Sequence, residues 1–280
     1  MAQKRLLTLE GREPGEPSYT AAYFDRGAGI PMILLHGFLG EGSCWLPLVD
    51  RLQSQIQSEI RCISLDLLGF GDSSKPMIRY DIAQEVAFVR RFVAALDLGP
   101  CYFVGHSFGG WVSVAYGLAY PDAMRGLVLA AAAGIRDDSF CGRYDHLRPL
   151  LWRTPIVDLA LSLAKPFSGL VGQRSLINQL SWFRRELMAN PAACSFLVDR
   201  LRPEDAIDTV EKEIHRLRVP TLVVTGDRDE TIPLWHSEAY AKAIPNAKLV
   251  VIPNADHALP QEYSAELAEA ISQQFSSKAL

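Results

Sequence analysis

No stretch of five like charges occurs anywhere in the chain, and 28 basic against 32 acidic residues leave a formal net charge of −4. Phosphate binding needs concentrated Lys and Arg, so nucleic acid is not an expected partner. Cysteine is scarce: Cys44, Cys62, Cys101, Cys141 and Cys194 are odd in number, widely spaced and form no CxxC pair. That suits reduced thiols in a cytoplasm better than a disulfide framework. No zinc-binding spacing is present, and neither a metal nor a cofactor is expected. The longest run of small apolar residues, Gly126 to Ile135, is too short to span a bilayer. The opening MAQKRLLTLEGREPGEP passes into a charged, Pro-rich stretch where a signal peptide would have an apolar core. Repeats and low-complexity tracts are absent too. The expectation is a cytoplasmic protein without stable membrane insertion whose partner is a small molecule; the oligomeric state is left open.

What the chain does have is apolar material, 49% of 280 residues, enough for one sizeable domain with an elaboration. Six short apolar runs bounded by turn residues, MILLHG, RCISLD, YFVGHS, GLVLAAA, TLVVTGD and KLVVIP, read as strands buried on both faces. Helical-length segments such as Tyr80 to Leu98 and Phe108 to Tyr120 separate several of them, which predicts a parallel sheet wrapped by helices. Near the N-terminus, LLTLEG and SYTAAYFDRG alternate more strongly and are joined by a Pro/Gly loop, as in an antiparallel edge hairpin. Between Gly134 and about Val219 the rhythm changes to helical patches interrupted by Pro149, Pro166, Pro191 and Pro203. This divides the chain into a core of 1–134 and 219–280 and an inserted helical cap of 135–218.

Gly105-His106-Ser107-Phe108-Gly109 is a G-x-S-x-G lying directly after the strand-like CYFV and directly before a helix-like run. A nucleophile elbow requires that context: the serine sits on a tight strand-to-helix turn, and small residues two positions either side let the backbone close. The helix N-terminus beneath favours negative charge developing above the turn. The alternative is an ordinary Gly-rich turn capped by Ser107. A serine hydroxyl needs a base, and His257 lies just after KLVVIP in the loop Asn254 to Ala258, where it can project over the sheet's edge. His215, in EKEIHRLR, and His236, at a helix start, are expected to be solvated or structural, and His146 falls in the cap. For the acid that orients the base, TGDRD offers Asp227 and Asp229 after the strand TLVV. Asp229 is preferred because the loop must travel before it reaches a histidine arriving from the next strand; Asp227 is the better turn-former. Oxyanion donors are expected from the backbone N–H of Phe108 and from that of Phe38 in His36-Gly37-Phe38. His36 is expected to be structural rather than a base, although with Gly37 it borders the site as a candidate substrate contact.

Together HGF at 36–38, DLLGFGDS at 66–73, GHSFGG at 105–110, TGDRDE at 225–230 and DH at 256–257 resemble the capped α/β-hydrolase superfamily over nearly the whole chain. The resemblance is weakest in the cap. It implies an eight-stranded, mostly parallel sheet with Ser107, Asp229 and His257 as a catalytic triad and the Phe38 and Phe108 amides as the oxyanion hole. It also implies that Asp66 to Ser73 shapes the floor of the site. Haloalkane dehalogenases and epoxide hydrolases of this fold carry Asp where this chain has Ser107, which points away from both.

The expected activity is hydrolysis of an ester-like bond in a small, largely apolar substrate through an acyl-enzyme on Ser107. The alternatives are a carbon–carbon bond hydrolase of dienoic ring-cleavage products and a cofactor-free perhydrolase or haloperoxidase. Outside catalysis, the chain would be a ligand receptor on a hydrolase fold. In the cap, Pro155 to Leu170 is apolar, and Trp152, Trp182 and Phe183 add aromatic area that could contact an apolar acyl or ring-bearing group. Packing against the sheet would explain the same residues. Arg148, Arg153, Arg184 and Arg185 are candidates to hold a substrate carboxylate, which would favour the carbon–carbon hydrolases.

Overall fold

Alternation near the N-terminus produces the expected hairpin: β1 (Arg5–Leu9) and β2 (Tyr19–Gly27) pair antiparallel, with Leu9 opposite Tyr19. The computed structural model describes residues 3–11, 15–55, 60–137, 152, 154–168, 174–199 and 208–275. The six apolar runs are also strands: β3 (Ile30–Leu35), β4 (Ile60–Leu65), β5 (Cys101–His106), β6 (Met124–Ala130), β7 (Thr221–Gly226) and β8 (Ala247–Ile252). They form one eight-stranded sheet in the order β1-β2-β4-β3-β5-β6-β7-β8. All pairs are parallel except β1 with β2 and β2 with β4.

One strand departs from the sequence expectation. The composition of β8 predicts burial on both faces, yet Leu249 and Val251 are 37% and 39% exposed. β8 closes the sheet with β7 as its single neighbour, and an edge strand is wetter than the central strands its composition imitates.

Between the strands the helices follow their apolar periodicity. In α1 (Leu46–Gln55) the residues Leu48, Val49 and Leu52 are buried, and the helix packs on α9 (Ser264–Phe275), whose Leu267, Ala268, Ile271 and Phe275 face inward. α2 (Ile82–Ala95) begins where the Asp81 carboxylate accepts the Gln84 N–H, an N-cap contact. α3 (Phe108–Ala119) leaves the sheet directly after β5, and the remaining core helices are α7 (Leu234–Ala243) and α8 (Leu259–Glu262).

Contacts divide the chain into two compact units: residues 1–74, 81–136 and 208–280 in one, 75–80 and 137–207 in the other. Residues 208–218 join the sheet unit because Val210 donates its N–H to the Gly134 carbonyl and the Asp208 carbonyl accepts the Trp111 indole N–H. Residues 75–80 join the helical unit, where the Tyr80 N–H donates to Ser195 Oγ. That unit contains α4 (Pro155–Ser168), α5 (Arg174–Ala189) and α6 (Pro191–Asp199). Arg184 organises it: fully enclosed, it donates Nε to Asp158 Oδ1 at 2.7 Å and Nη2 to Oδ2 at 2.8 Å, and it also reaches the carbonyls of Trp152 and Thr154. Among the described residues no helix is long and apolar enough to cross a membrane.

A buried carboxyl on α2 gives the fold a pH signature. Glu85 is completely enclosed, accepts the Leu68 N–H at 3.1 Å through Oε2, and at Oε1 has no hydrogen-bond partner among the described residues. Burial first, and the nearby Asp81 charge after it, push its pKa well above 4.5, against the Leu68 hydrogen bond. The folded chain therefore binds a proton that the unfolded chain has released once pH exceeds about 4.5, and stability falls as pH rises through that window. The slope approaches about 1.4 kcal/mol per pH unit. Glu85→Gln should remove this loss, melting close to wild type near pH 4.5 and higher than wild type at pH 8. Thermal melts of both proteins at the two pH values check it; an offset that does not change with pH contradicts it.

Candidate active site

In a parallel sheet the carboxyl ends of neighbouring strands share one edge, and the loops leaving that edge can converge. Here Leu35 pairs with Gly105, His106 with Ala130, Ala130 with Val224, and Gly226 with Ile252. The loops after β3, β5, β7 and β8 thus emerge together, and they carry Phe38, Ser107, Asp229 and His257.

Ser107 adopts φ 51° and ψ −116°, a left-handed backbone that costs a non-glycine residue roughly 1–3 kcal/mol. The surroundings fix it there. Its N–H donates to the Ala130 carbonyl, and its own carbonyl accepts from Gly110, Trp111 and Ala133. The two glycines flanking it in the motif are required by close approach: a Cβ on Gly105 would lie 2.6 Å from the Gly110 backbone, and one on Gly109 would lie 2.6 Å from the His36 carbonyl oxygen. The serine side chain makes no capping bond to α3, so the alternative of a turn capped by Ser107 is not the local geometry.

His257 lies in a loop entered through Asn254, whose φ of 60° turns the chain after β8. Its Nδ1 is 2.8 Å from Asp229 Oδ2. Asp229 is enclosed, and its other oxygen accepts the N–H groups of Thr231 and Ile232, each at 2.8 Å. Facing a carboxylate, Nδ1 is the protonated nitrogen, which leaves Nε2 with a lone pair, the arrangement a general base needs. Asp227 is exposed and is engaged through its backbone N–H to the Ile252 carbonyl. His215 is exposed, and His236 is buried in the first turn of α7; His146 lies outside the described residues.

Around Phe38 the backbone is oriented by His36. The Leu67 N–H donates to His36 Nε2 at 3.0 Å, so the ring proton resides on Nδ1, which donates to the Gly37 carbonyl at 2.7 Å. The Gly40 N–H donates to the same carbonyl. The peptide between Gly37 and Phe38 is trans, so a carbonyl held on one side points the Phe38 N–H to the other. His36 is completely buried, and its polar atoms serve this scaffold rather than a substrate. Burial, more than any neighbouring charge, lowers its pKa, which keeps the ring neutral for both bonds. Gly37 faces the elbow: a Cβ on it would lie 3.3 Å from Ser107 Cβ. The rings of Phe38, Phe70 and Phe108 pack with centroids 5.6–6.0 Å apart, giving this region an apolar wall.

The loop from Asp66 to Ser73 is tied to the segments on either side of Phe38, through His36 and Gly42. Asp66 accepts the N–H groups of Gly42 at 2.6 Å and Asp72 at 2.8 Å, and Lys4 Nζ sits among Asp66, Asp72 and Glu41 at 2.7–3.1 Å. Those carboxylates lie close enough together to hold a cation, and the Lys4 ammonium supplies the positive charge. Nothing at position 4 of the sequence announces partners as distant as Asp66 and Asp72, so sequence reasoning misses Lys4. It misses His106 as well, which is 6% exposed and donates Nε2 to the His257 carbonyl at 2.8 Å.

In the helical unit, Trp152 and Trp182 are exposed and Phe183 is half-buried. Arg148 and Arg153 lie outside the described residues, Arg185 is exposed, and Arg184 is committed to Asp158. Of the cysteines, Cys44, Cys62, Cys101 and Cys194 are free thiols, and burial pushes the first three up to about 12. Such thiols are poor nucleophiles near neutrality.

Residues 30–261 match the α/β hydrolase fold family. The chain belongs to that family and is a hydrolase. It is 30% identical over 269 residues to a 2-hydroxymuconate semialdehyde hydrolase of Pseudomonas putida, covering 93% of this chain and 92% of the relative. It is 28% identical over 241 residues to lipase 3 of Moraxella sp. strain TA144, covering 83% and 73%. Among solved structures, a meta-cleavage product hydrolase from Pseudomonas fluorescens IP01 superposes with a TM-score of 0.68 at 26% identity, covering 93% and 95%.

Proposed function

We propose that the chain hydrolyses an ester-like bond in a small, largely apolar substrate, with Ser107 as nucleophile, His257 as general base and Asp229 as the group that orients it. The observation that carries this reading is the Asp229–His257 contact of 2.8 Å at the sheet edge from which the strained Ser107 turn emerges. In the reaction, Ser107 Oγ bonds to the substrate carbonyl carbon while its proton passes to His257 Nε2. The carbonyl electron pair moves onto oxygen, and the Phe38 and Phe108 N–H groups receive that charge. Collapse re-forms the carbonyl and breaks the bond to the leaving alcohol, which takes the proton from His257. Water then repeats the sequence on the acyl-enzyme, freeing the acid and restoring Ser107. Asp229 stays ionised throughout and stabilises the imidazolium. No metal or cofactor is required by these steps. The phenylalanine wall of residues 38, 70 and 108 suits an apolar acyl group, and Trp152, Trp182 and Phe183 are proposed as further contacts from a helical cap.

A second reading, hydrolysis of a carbon–carbon bond in a dienoic ring-cleavage product, is favoured by the similarity to the semialdehyde and meta-cleavage product hydrolases. One panel separates the two: short nitrophenyl esters beside coloured vinylogous keto-acids, with the purified protein. Ester turnover exceeding keto-acid turnover at least ~10-fold in kcat/KM, about 1.4 kcal/mol in transition-state stabilisation, supports the first reading. Rapid bleaching of a keto-acid with nearly inert esters supports the second, and inertness toward both overturns the hydrolytic assignment of this site.

A further inference from the structure

The imidazole of His106 takes no part in the reaction just described, yet it lies against the loops that carry Phe38 and His257. Its Nε2 is 2.8 Å from the His257 carbonyl oxygen, and its ring lies 4.7 Å from the His257 ring, inclined at 43°. On its other edge, a Cβ on Gly37 would fall 2.8 Å from Nδ1, so the ring fills the space beside the turn that presents Phe38. Trp45 closes the site edge-on at 6.5 Å and 86°. A carbonyl oxygen can only accept, so Nε2 carries the ring's proton. His106 is then a neutral donor aimed at backbone and cannot serve Ser107 as a base through that nitrogen. Burial and then the neighbouring His257 charge lower its pKa to about 3, against the pull of the His257 carbonyl and Asp229, so the ring stays neutral near neutral pH.

We propose that His106 is a positioning residue for the general base: its hydrogen bond to the His257 carbonyl fixes the His257 loop against the nucleophile turn. The proposal rests on the serine hydrolase reading and deepens it. Asp229 holds His257 at one ring nitrogen, and a ring held at one point can still tilt about that bond. A second anchor on the same residue's backbone removes the freedom. Because His106 precedes Ser107 on the end of β5, the anchor refers the base directly to the nucleophile. The same His257 carbonyl also accepts the Leu259 N–H at 2.9 Å, so the loop's internal turn and its tether to β5 meet at one oxygen.

The test compares His106→Phe, which fills the space without a donor, with His106→Gln, whose side-chain amide can donate from a similar reach. Two quantities are measured in each: hydrogen exchange of the Ala258 and Leu259 amides, and kcat and KM on the preferred substrate, with far-UV circular dichroism to establish folding. In His106→Phe the two amides should exchange ~10-fold faster or more and kcat should fall ~10- to 100-fold with KM within ~2-fold, since small misplacements of a catalytic group carry losses of this order. His106→Gln should recover most of both. Unchanged exchange in His106→Phe overturns the proposal, as does faster exchange with wild-type kcat, or a glutamine variant as impaired as the phenylalanine one. Should wild type show no turnover dependent on Ser107, the hydrolase reading fails, and the exchange measurement alone still decides whether His106 holds the loop.

Discussion

Ser107→Ala should lower kcat by at least ~10⁴-fold on any substrate the wild type turns over, with circular dichroism and melting temperature nearly unchanged. The size follows from the reaction's design: without the hydroxyl no acyl-enzyme forms, and what remains is the modest advantage of the oxyanion donors and of binding. Stability is preserved because the hydroxyl makes no capping bond and alanine meets the same left-handed backbone at φ 51° as serine. Steady-state kinetics of the two proteins check it. Turnover within ~10-fold of wild type would mean that another group attacks, and the elbow would revert to a Gly-rich turn without chemistry.

Asp229→Asn is expected to lose ~10³- to 10⁴-fold in kcat with little change in KM, for a reason the local geometry specifies. Thr231 and Ile232 aim two N–H donors at Oδ1, so an asparagine must place its carbonyl oxygen there and turn its NH₂ toward His257. Nδ1 must then accept, which moves the ring proton to Nε2, the nitrogen that has to be unprotonated to receive the serine proton. The loss is one of tautomer rather than of charge alone. Nitrogen-15 NMR of the labelled imidazole would show the protonated nitrogen change from Nδ1 to Nε2 alongside the fall in rate. A variant with both the original tautomer and near-wild-type kcat would remove Asp229 from the mechanism.

Much of this arrangement is legible in the sequence because the signals are short in range. An apolar run ending in Gly105-His106-Ser107 and continuing as a helix encodes strand, turn and helix within about twenty residues, and chain order then points to the loops that carry Asp229 and His257. The sheet's eight strands are readable for the same reason, although β8 imitates a central strand because Leu249, Val250 and Val251 give no hint that β8 has one neighbour. The contacts that escape join residues far apart. Lys4 with Asp66 and Asp72, the Leu67 N–H with His36, and His106 with the His257 carbonyl are set by which loops meet at the sheet edge. Arg184 shows the converse: its place in the sequence suggests a ligand for a substrate carboxylate, and the carboxylate it holds belongs to its own helical unit, at Asp158.

The most direct measurement is reaction of the native protein with a fluorophosphonate, followed by intact mass and peptide mapping. The expected outcome is a single adduct on Ser107, formed rapidly in wild type and lost in Ser107→Ala, with labelling slowed in Asp229→Asn. A protein that stays unmodified, or carries the adduct on a different side chain, would contradict the assignment of Ser107 as the activated nucleophile.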